Sequence, residues 1–389
     1  PERRHEYELG ADISLFDGSM GISTTIYNAI NNDVIYNVDV TPSTGADEMT
    51  ANGASIGNKG IEFTIDYRAI DTEKLKWDSK LIYASNKNSV LEMNGITGSM
   101  AKLMSEDLVP SRGIAKFSEV SPGREYAEFK VLSWARFGYG MVVDHDLNIN
   151  TPDVNIDTLR DYSWSKNDVY VAKNGLPIMY SQKIWSGYAP NPDWTGSFFN
   201  ELSIGKNLKI SCLIDISIGG HIANYTKNAL YEWGTHADTD KRYHPDFDNP
   251  NWHGYQEGVS TNWGKGTFQE LLNHNHKSIG PGQDTIITYS QNFYENYMGR
   301  NTDVINNIED ASYAKLRELS LSYNFGKINN SYLGNPGVIV RLSAQDLITW
   351  TKYSGWDPET NMYQDRISGE DYFNQPQTWR ANLALQLNW

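Results

Sequence analysis

Cysteine is nearly absent. Cys212 is the single cysteine in 389 residues, which excludes an intrachain disulfide framework and any cysteine-based zinc site. A basic excess is missing too: 33 Lys and Arg stand against 48 Asp and Glu, for a net charge of −15. No positive surface could release the counterions of a phosphate backbone, so nucleic acid is excluded as a partner. No run approaches the roughly 20 consecutive apolar residues that a spanning helix needs. The opening residues, Pro1-Glu2-Arg3-Arg4-His5, carry no apolar signal-peptide core. Gly-rich phosphate loops, a Ser/His/Asp order and paired-carboxylate spacings are also lacking, so neither an enzyme nor a cofactor is expected.

What the chain does contain is apolar alternation with a period of two, in segments of about ten residues. At the C-terminus Trp379, Ala381, Leu383, Leu385, Leu387 and Trp389 share one face, and Arg380, Asn382, Ala384, Gln386 and Asn388 share the other. From Leu208 to Ile218 the isoleucines at 210, 214, 216 and 218 lie with Cys212, opposed to Lys209, Ser211, Leu213, Asp215 and Ser217. Ile61, Phe63, Ile65 and Tyr67 likewise oppose Glu62, Thr64, Asp66 and Arg68. Further segments begin near Tyr7, Met20, Leu75, Trp194, Leu316 and Val338, which brings the total to nine. Side chains of a strand point alternately to its two sides, so each segment reads as a strand with one apolar face.

A soluble sandwich or barrel would also have one-sided strands. Two features favour a membrane barrel instead. Aromatics sit near segment ends, at Trp77, Trp194, Trp350, Trp379 and Trp389, where interfacial girdles lie. The connections also alternate in length. Short links at Asp17-Gly18-Ser19, Asp71-Thr72-Glu73-Lys74, Gly205-Lys206-Asn207 and 326–337 alternate with long ones at about 30–57, 91–190, 219–310 and 351–376. Antiparallel neighbours put every second connection at one edge, so the long loops share one side, as the extracellular loops of outer-membrane barrels do. The first and last strands then run the same way. Single-chain bacterial barrels have even strand counts, and an open sheet edge is untenable in lipid. The expectation is therefore an all-β antiparallel transmembrane β-barrel of which residues 1–389 are the last nine strands. The remaining strands, a lumenal plug and a signal peptide would precede Pro1.

Several stretches resemble one family. Gly53-Ala54-Ser55-Ile56-Gly57-Asn58-Lys59-Gly60-Ile61-Glu62-Phe63 resembles its N-x-G-x-I-x-N-K-G-I-E segment. Asn191-Pro192-Asp193-Trp194-Thr195-Gly196 resembles its N-P-D-W-T-G strand entry, and Ala311 to Tyr323 its A-S-F-x-K-L-R-E-V-S-L-S-Y. Gln345-Asp346-Leu347, Trp350-Thr351-Lys352-Tyr353 and Trp356-Asp357-Pro358-Glu359-Thr360-Asn361 resemble its closing hairpin. These mark the SusC/RagA-type TonB-linked outer-membrane proteins of Bacteroidetes. The resemblance implies a barrel of about 22 strands, a plug, a TonB-contacting segment outside this chain and a SusD-like lipoprotein lid. It implies TonB-dependent import of oligosaccharides or oligopeptides, a glycan or peptide substrate, and surroundings of outer-membrane lipid and lipopolysaccharide. The alternative is a structural or docking barrel subunit in a larger outer-membrane assembly.

Candidate site residues concentrate in the long loops. Asp153, Asn155 and Asp157 have the first three positions of a calcium loop, but Thr158 replaces its Gly and Trp164 its Glu, so a solvated loop is the expectation. His244, His253, His274 and His276 fall in one loop near Asp246 and Asp248, and no metal is expected there, exposed loop histidines being ordinary. Between 219 and 310, Tyr225, Tyr231, Trp233, Tyr243, Trp252, Tyr255, Trp263, Phe268 and Tyr289 are interleaved with Asp, Asn and His. Such a mixture suits stacking on sugar rings, packing on a protein partner, or self-packing over the barrel mouth. Trp233, Trp252, Tyr255 and Trp263 are the expected ligand or partner contacts.

Overall fold

The computed structural model describes residues 1–39, 45, 48–93, 118–119, 121–131, 184–237, 307–329, 334–360 and 369–388. Strands β1 (Arg3–Leu15), β2 (Met20–Asp39), β3 (Glu48–Asp71) and β4 (Leu75–Met93) are followed by the short β5 (Ser118–Glu119), β6 (Glu128–Val131) and β7 (Ile184–Trp185). Then come β8 (Trp194–Ile204), β9 (Leu208–Ile218), β10 (His221–Asn224), helix α1 (Tyr225–Glu232) and β11 (Ile308–Asp310). The rest of the chain holds β12 (Tyr313–Lys327), β13 (Gly337–Thr351), β14 (Glu370–Asp371) and β15 (Arg380–Asn388).

The alternating segments pair into a single nine-stranded sheet in the order β1-β2-β3-β4-β8-β9-β12-β13-β15. Neighbours follow one another along the chain and run antiparallel. Short links at 16–19, 72–74 and 205–207 lie at one edge, where β12 also ends and β13 begins, and the long connections leave from the other. The short links are tied sideways by backbone bonds: Arg68 N–H to the Ser19 carbonyl, Gly205 N–H to Lys74 and Asn324 N–H to Asn207, each 2.8 Å.

Register gives the sheet two faces, because directly opposed residues lie on the same side. Ile210, Cys212, Ile214 and Ile216 oppose Leu202, Asn200, Phe198 and Gly196 on β8, and Leu321, Leu319, Leu316 and Ala314 on β12. Lys209, Ser211 and Asp215 oppose Ser203, Glu201 and Ser197, and on the other side Ser322, Ser320 and Lys315. The apolar set stays bare across the sheet, with Leu9, Ile26, Ile61, Leu81, Leu342 and Leu383 all exposed. So wide an exposed apolar face belongs in lipid. Aromatics border it: Tyr67 and Trp77 toward the turns, and Trp350 and the Tyr83–Trp194 pair (centroids 5.6 Å apart) toward the long connections.

Three departures from the alternation have physical causes. The connection expected over 30–57 is mostly strand, since β2 runs to Asp39 and β3 starts at Glu48. Asn31-Asn32-Asp33, which has turn chemistry, is instead a register irregularity in which Asp33 takes a positive φ of 56° and its carbonyl accepts from Asn52 Nδ2 at 2.6 Å. Second, the long connections are partly structured. Three-stranded sheets β5-β6-β7 and β11-β10-β14 form there, with a buried core of Phe129, Val131, Ala223, Tyr225 and Ile308 against which Tyr188 and Tyr372 pack. Third, α1 starts where Asn224 Oδ1 accepts from Lys227 N–H at 2.9 Å, an N-cap, and it buries Tyr225, Asn228, Ala229 and Tyr231. Their spacing is helical.

The faces make a direct prediction. A basic charge on the lipid side at mid-membrane costs about 2–4 kcal/mol, so Ile214→Arg in the full-length protein should sharply reduce the heat-modifiable, folded fraction in outer membranes, while Ser211→Arg should leave most of it. Equal losses would contradict the assignment.

Candidate functional site

The polar face of β1 to β4 carries a groove of about 380 Å³ lined by Arg4, Glu6, Glu8, Thr25, Tyr27, Asn58, Glu62 and Asn86. Its floor is built around a close approach. A Cβ placed on Gly60 would lie 2.6 Å from Tyr27 Cζ, so the tyrosine ring lies across the glycine, as aromatic rings shield glycines in sheets. The ring's hydroxyl donates to Asn86 Oδ1 at 3.1 Å, and Asn86 Nδ2 donates to Asn58 Oδ1 at 3.3 Å. Amides, carboxylates and one phenol thus face the lumen together. Such a surface can accept and donate hydrogen bonds to hydroxyls or peptide groups.

A second cluster joins the wall to the loops above it. Register shifts around Arg317 against both β9 and β13 mark it as a bulge residue, and the bulge turns its guanidinium inward. There it donates through Nε to Asp215 at 2.8 Å, through Nη1 to Asp346 at 3.3 Å and through Nη2 to Glu359. Lys315, 1% exposed, donates to both Asp357 oxygens (2.7 and 2.8 Å) and to Glu359 Oε2 at 2.6 Å. Tyr313 donates its hydroxyl to Glu359 as well. Burial by itself would raise the Glu359 carboxyl, but Arg317, Lys315 and Tyr313 outweigh it and hold it down at about 2.

The same logic continues into the cap. Glu309 accepts from Lys227 Nζ at 2.9 Å and from the Ser354 N–H and hydroxyl at 2.8 and 2.7 Å. Burial opposes its ionisation and these donors prevail, keeping it below the usual range. Tyr353 donates to Asp371, which also accepts from Thr226 at 3.1 Å. Gly369, at φ 99°, is where three segments meet: a Cβ there would come within 2.5 Å of Pro190 and 3.1 Å of Phe129. Beside it, burial pushes the Glu370 carboxyl up to about 7.

Of the expected contacts, Trp233 is described: it follows α1, is 57% exposed, and stacks on Phe373 with centroids 5.4 Å apart and planes 12° apart. Trp252, Tyr255 and Trp263 lie outside the described residues. So do Asp153, Asn155 and Asp157 and the histidines at 244, 253, 274 and 276. Composition alone did not single out Tyr27, Lys315, Arg317 or Glu359. A signal for Arg317 existed, because Leu316 and Leu319 share the apolar face at odd spacing, and an intervening bulge is what permits that.

No family model matches the chain. It is similar to curated proteins of Formosa agariphila: TonB-dependent receptor P3, 24% identical over 99% of this chain and 34% of that protein, and TonB-dependent receptor P26, 22% identical over 92% and 31%. The chain thus spans about a third of the length of these relatives. Among solved structures it is similar to the RagAB peptide transporter, with a TM-score of 0.59, 15% identity and coverage of 99% of this chain and 35% of that one. Fold, faces and relatives together define part of an outer-membrane β-barrel wall. In sequence the likeness is to TonB-dependent receptors, and in fold it is to the RagAB peptide transporter.

Glu359 and Glu370 titrate in opposite senses. A depressed native value means that Glu359 contributes stability above about pH 4.5 that is lost as pH falls toward 2. A raised one means that Glu370 costs stability as pH climbs from 4.5 to 7. Corrected amide-exchange protection of β10 and β14 should therefore be higher near pH 5 than at pH 8, and Glu370→Gln should flatten that fall. Lys315→Met, which leaves Asp357 buried and unpaired, should destabilise the rim by about 3–5 kcal/mol; unchanged protease resistance of 353–373 in that variant would contradict the cluster's role.

Proposed function

We propose that the protein carrying this chain imports a nutrient across the outer membrane, driven by TonB, and that the substrate is an oligosaccharide or oligopeptide captured together with a SusD-like lipoprotein. The observation that carries this reading is the lumenal groove, where Tyr27, Asn58 and Asn86 stand among the carboxylates of Glu6, Glu8 and Glu62. A wall serving only as a scaffold needs a polar lumen for solvation, but not a concave surface with convergent donors and acceptors. The likeness to the RagAB peptide transporter supports the oligopeptide arm, and the aromatic and amide chemistry of the loops supports the oligosaccharide arm. Trp233, stacked on Phe373 and open to solvent, is the described residue best placed to meet a ligand or lid outside the barrel.

Uptake tests the reading. Cells expressing the full-length protein should accumulate labelled oligopeptides or oligosaccharides, and deletion of the TonB-contacting segment should abolish that accumulation. Tyr27→Ala combined with Asn86→Ala should lower uptake several-fold with outer-membrane levels unchanged. Uptake indifferent to the TonB-contacting segment, or no uptake of either class, would overturn the proposal in favour of a docking subunit.

A further inference from the structure

The outer, lipid-facing side of β3 and β4 holds a feature that import does not use. Lys59 and Lys87 are direct partners across these strands, and both are exposed. Their sequence neighbours Asn58 and Asn86 are bonded to each other on the lumenal side, so alternation turns both lysines outward. Like charges placed directly opposite one another are destabilising. The other basic residues of these strands are all matched: Arg68 with Asp71 and Asp78, Lys76 with Asp71, and Lys80 with Asp66. Among the described residues neither Lys59 nor Lys87 forms an ion pair within 4 Å; Lys87 is felt only at a distance by Glu125, in the connection above, whose carboxyl it lowers against the larger effect of burial.

Height in the membrane says what could serve as one. Lys87 lies ten residues along β4 from the girdle residue Trp77. At about 3.3 Å per residue and a tilt of about 40°, that is about 25 Å of vertical rise, the height of the apolar band of an outer-membrane barrel. The pair therefore stands at the outer rim of the band, on the side of the long connections. Lysines near the interface cost little, and their stems can lie along the wall while the ammonium groups reach the headgroups. The same row continues sideways to Asn28, opposite Lys59, and to Tyr7, opposite Asn28, both exposed. Two point charges, an amide and an aromatic face in one row suit a phosphate attached to a sugar.

We propose that Lys59 and Lys87 form a binding site on the barrel's outer wall for the phosphate of a phosphorylated glycolipid of the outer leaflet, that is, lipopolysaccharide, with Asn28 and Tyr7 beside its sugars. The site rests on the outer-membrane placement and not on import.

Full-length protein in nanodiscs tests it by titration with phosphorylated lipid A, with dephosphorylated lipid A and with inorganic phosphate. Wild-type protein should prefer the phosphorylated lipid, Lys59→Gln/Lys87→Gln should bind it about tenfold more weakly, and Lys59→Arg/Lys87→Arg should retain it. Only heat-modifiable, folded protein is scored, so a folding defect does not enter the comparison. Dephosphorylated lipid A should not distinguish the variants, and millimolar inorganic phosphate should not compete. Equal affinity of wild type and the double Gln variant would overturn the site; competition by inorganic phosphate would overturn the lipid as its ligand.

Discussion

Backbone pairing is the constraint on which everything else depends. Within hydrocarbon no water is present to satisfy an N–H or C=O, so a chain without apolar helices can cross only as strands whose edges are closed by neighbours. Nine antiparallel strands in sequential order meet that demand locally, each closing the previous one's edge. The pleat then assigns every side chain to lipid or lumen. The apolar face of Ile210 to Ile216 and the polar face of Ser211 and Asp215 are consequences of one geometry. The exposed leucines and isoleucines are therefore no anomaly; they are the solvent-side surface of a sheet whose solvent is lipid.

Above the membrane a different interaction takes over. Pairing continues in β2 and β3 beyond the alternating region, but the loops are anchored by charge. The Arg317 bulge departs from the regular ladder and in return collects Asp215 from β9 on one side, Asp346 from β13 on the other and Glu359 from the loop above. Lys315, buried beside it, commits three more hydrogen bonds to that loop. Buried ion pairs of this kind are poor sources of net stability and strong constraints on geometry. Here they fix where the segment after β13 sits, and through Tyr353 and Ser354 they reach the cap's short sheet.

The strands were legible because lipid and lumen impose opposite requirements on alternate residues; Leu208 to Ile218 could hardly be read otherwise. Their outer limits were not. Asn31-Asn32-Asp33 has the composition of a turn, and nothing local tells a bulge from a reversal. The rim cluster was visible only as motif residues: Lys315, Arg317, Asp357 and Glu359 are separated by about forty positions, and their meeting depends on register. Tyr27 and Gly60 are a similar case, since a tyrosine's shielding of a glycine on the neighbouring strand is a property of pairing. In the loops, composition pointed to aromatics. Of those, Tyr225 and Tyr231 are buried in α1, and Trp233 stands against Phe373, a residue that composition did not connect with it.

The period-two pattern is a lipid-to-lumen alternation in a membrane-embedded wall. A cysteine scan of β9 from Lys209 to Ile218, made in the full-length protein with Cys212→Ser as background, measures it most directly. Each variant is labelled with a fluorophore and quenched either from the aqueous lumen or by brominated lipid. Strict alternation is expected, with 209, 211, 213, 215 and 217 quenched from water and 210, 212, 214 and 216 quenched by lipid. A flat profile, or lipid quenching at the positions of Ser211 and Asp215, would contradict it.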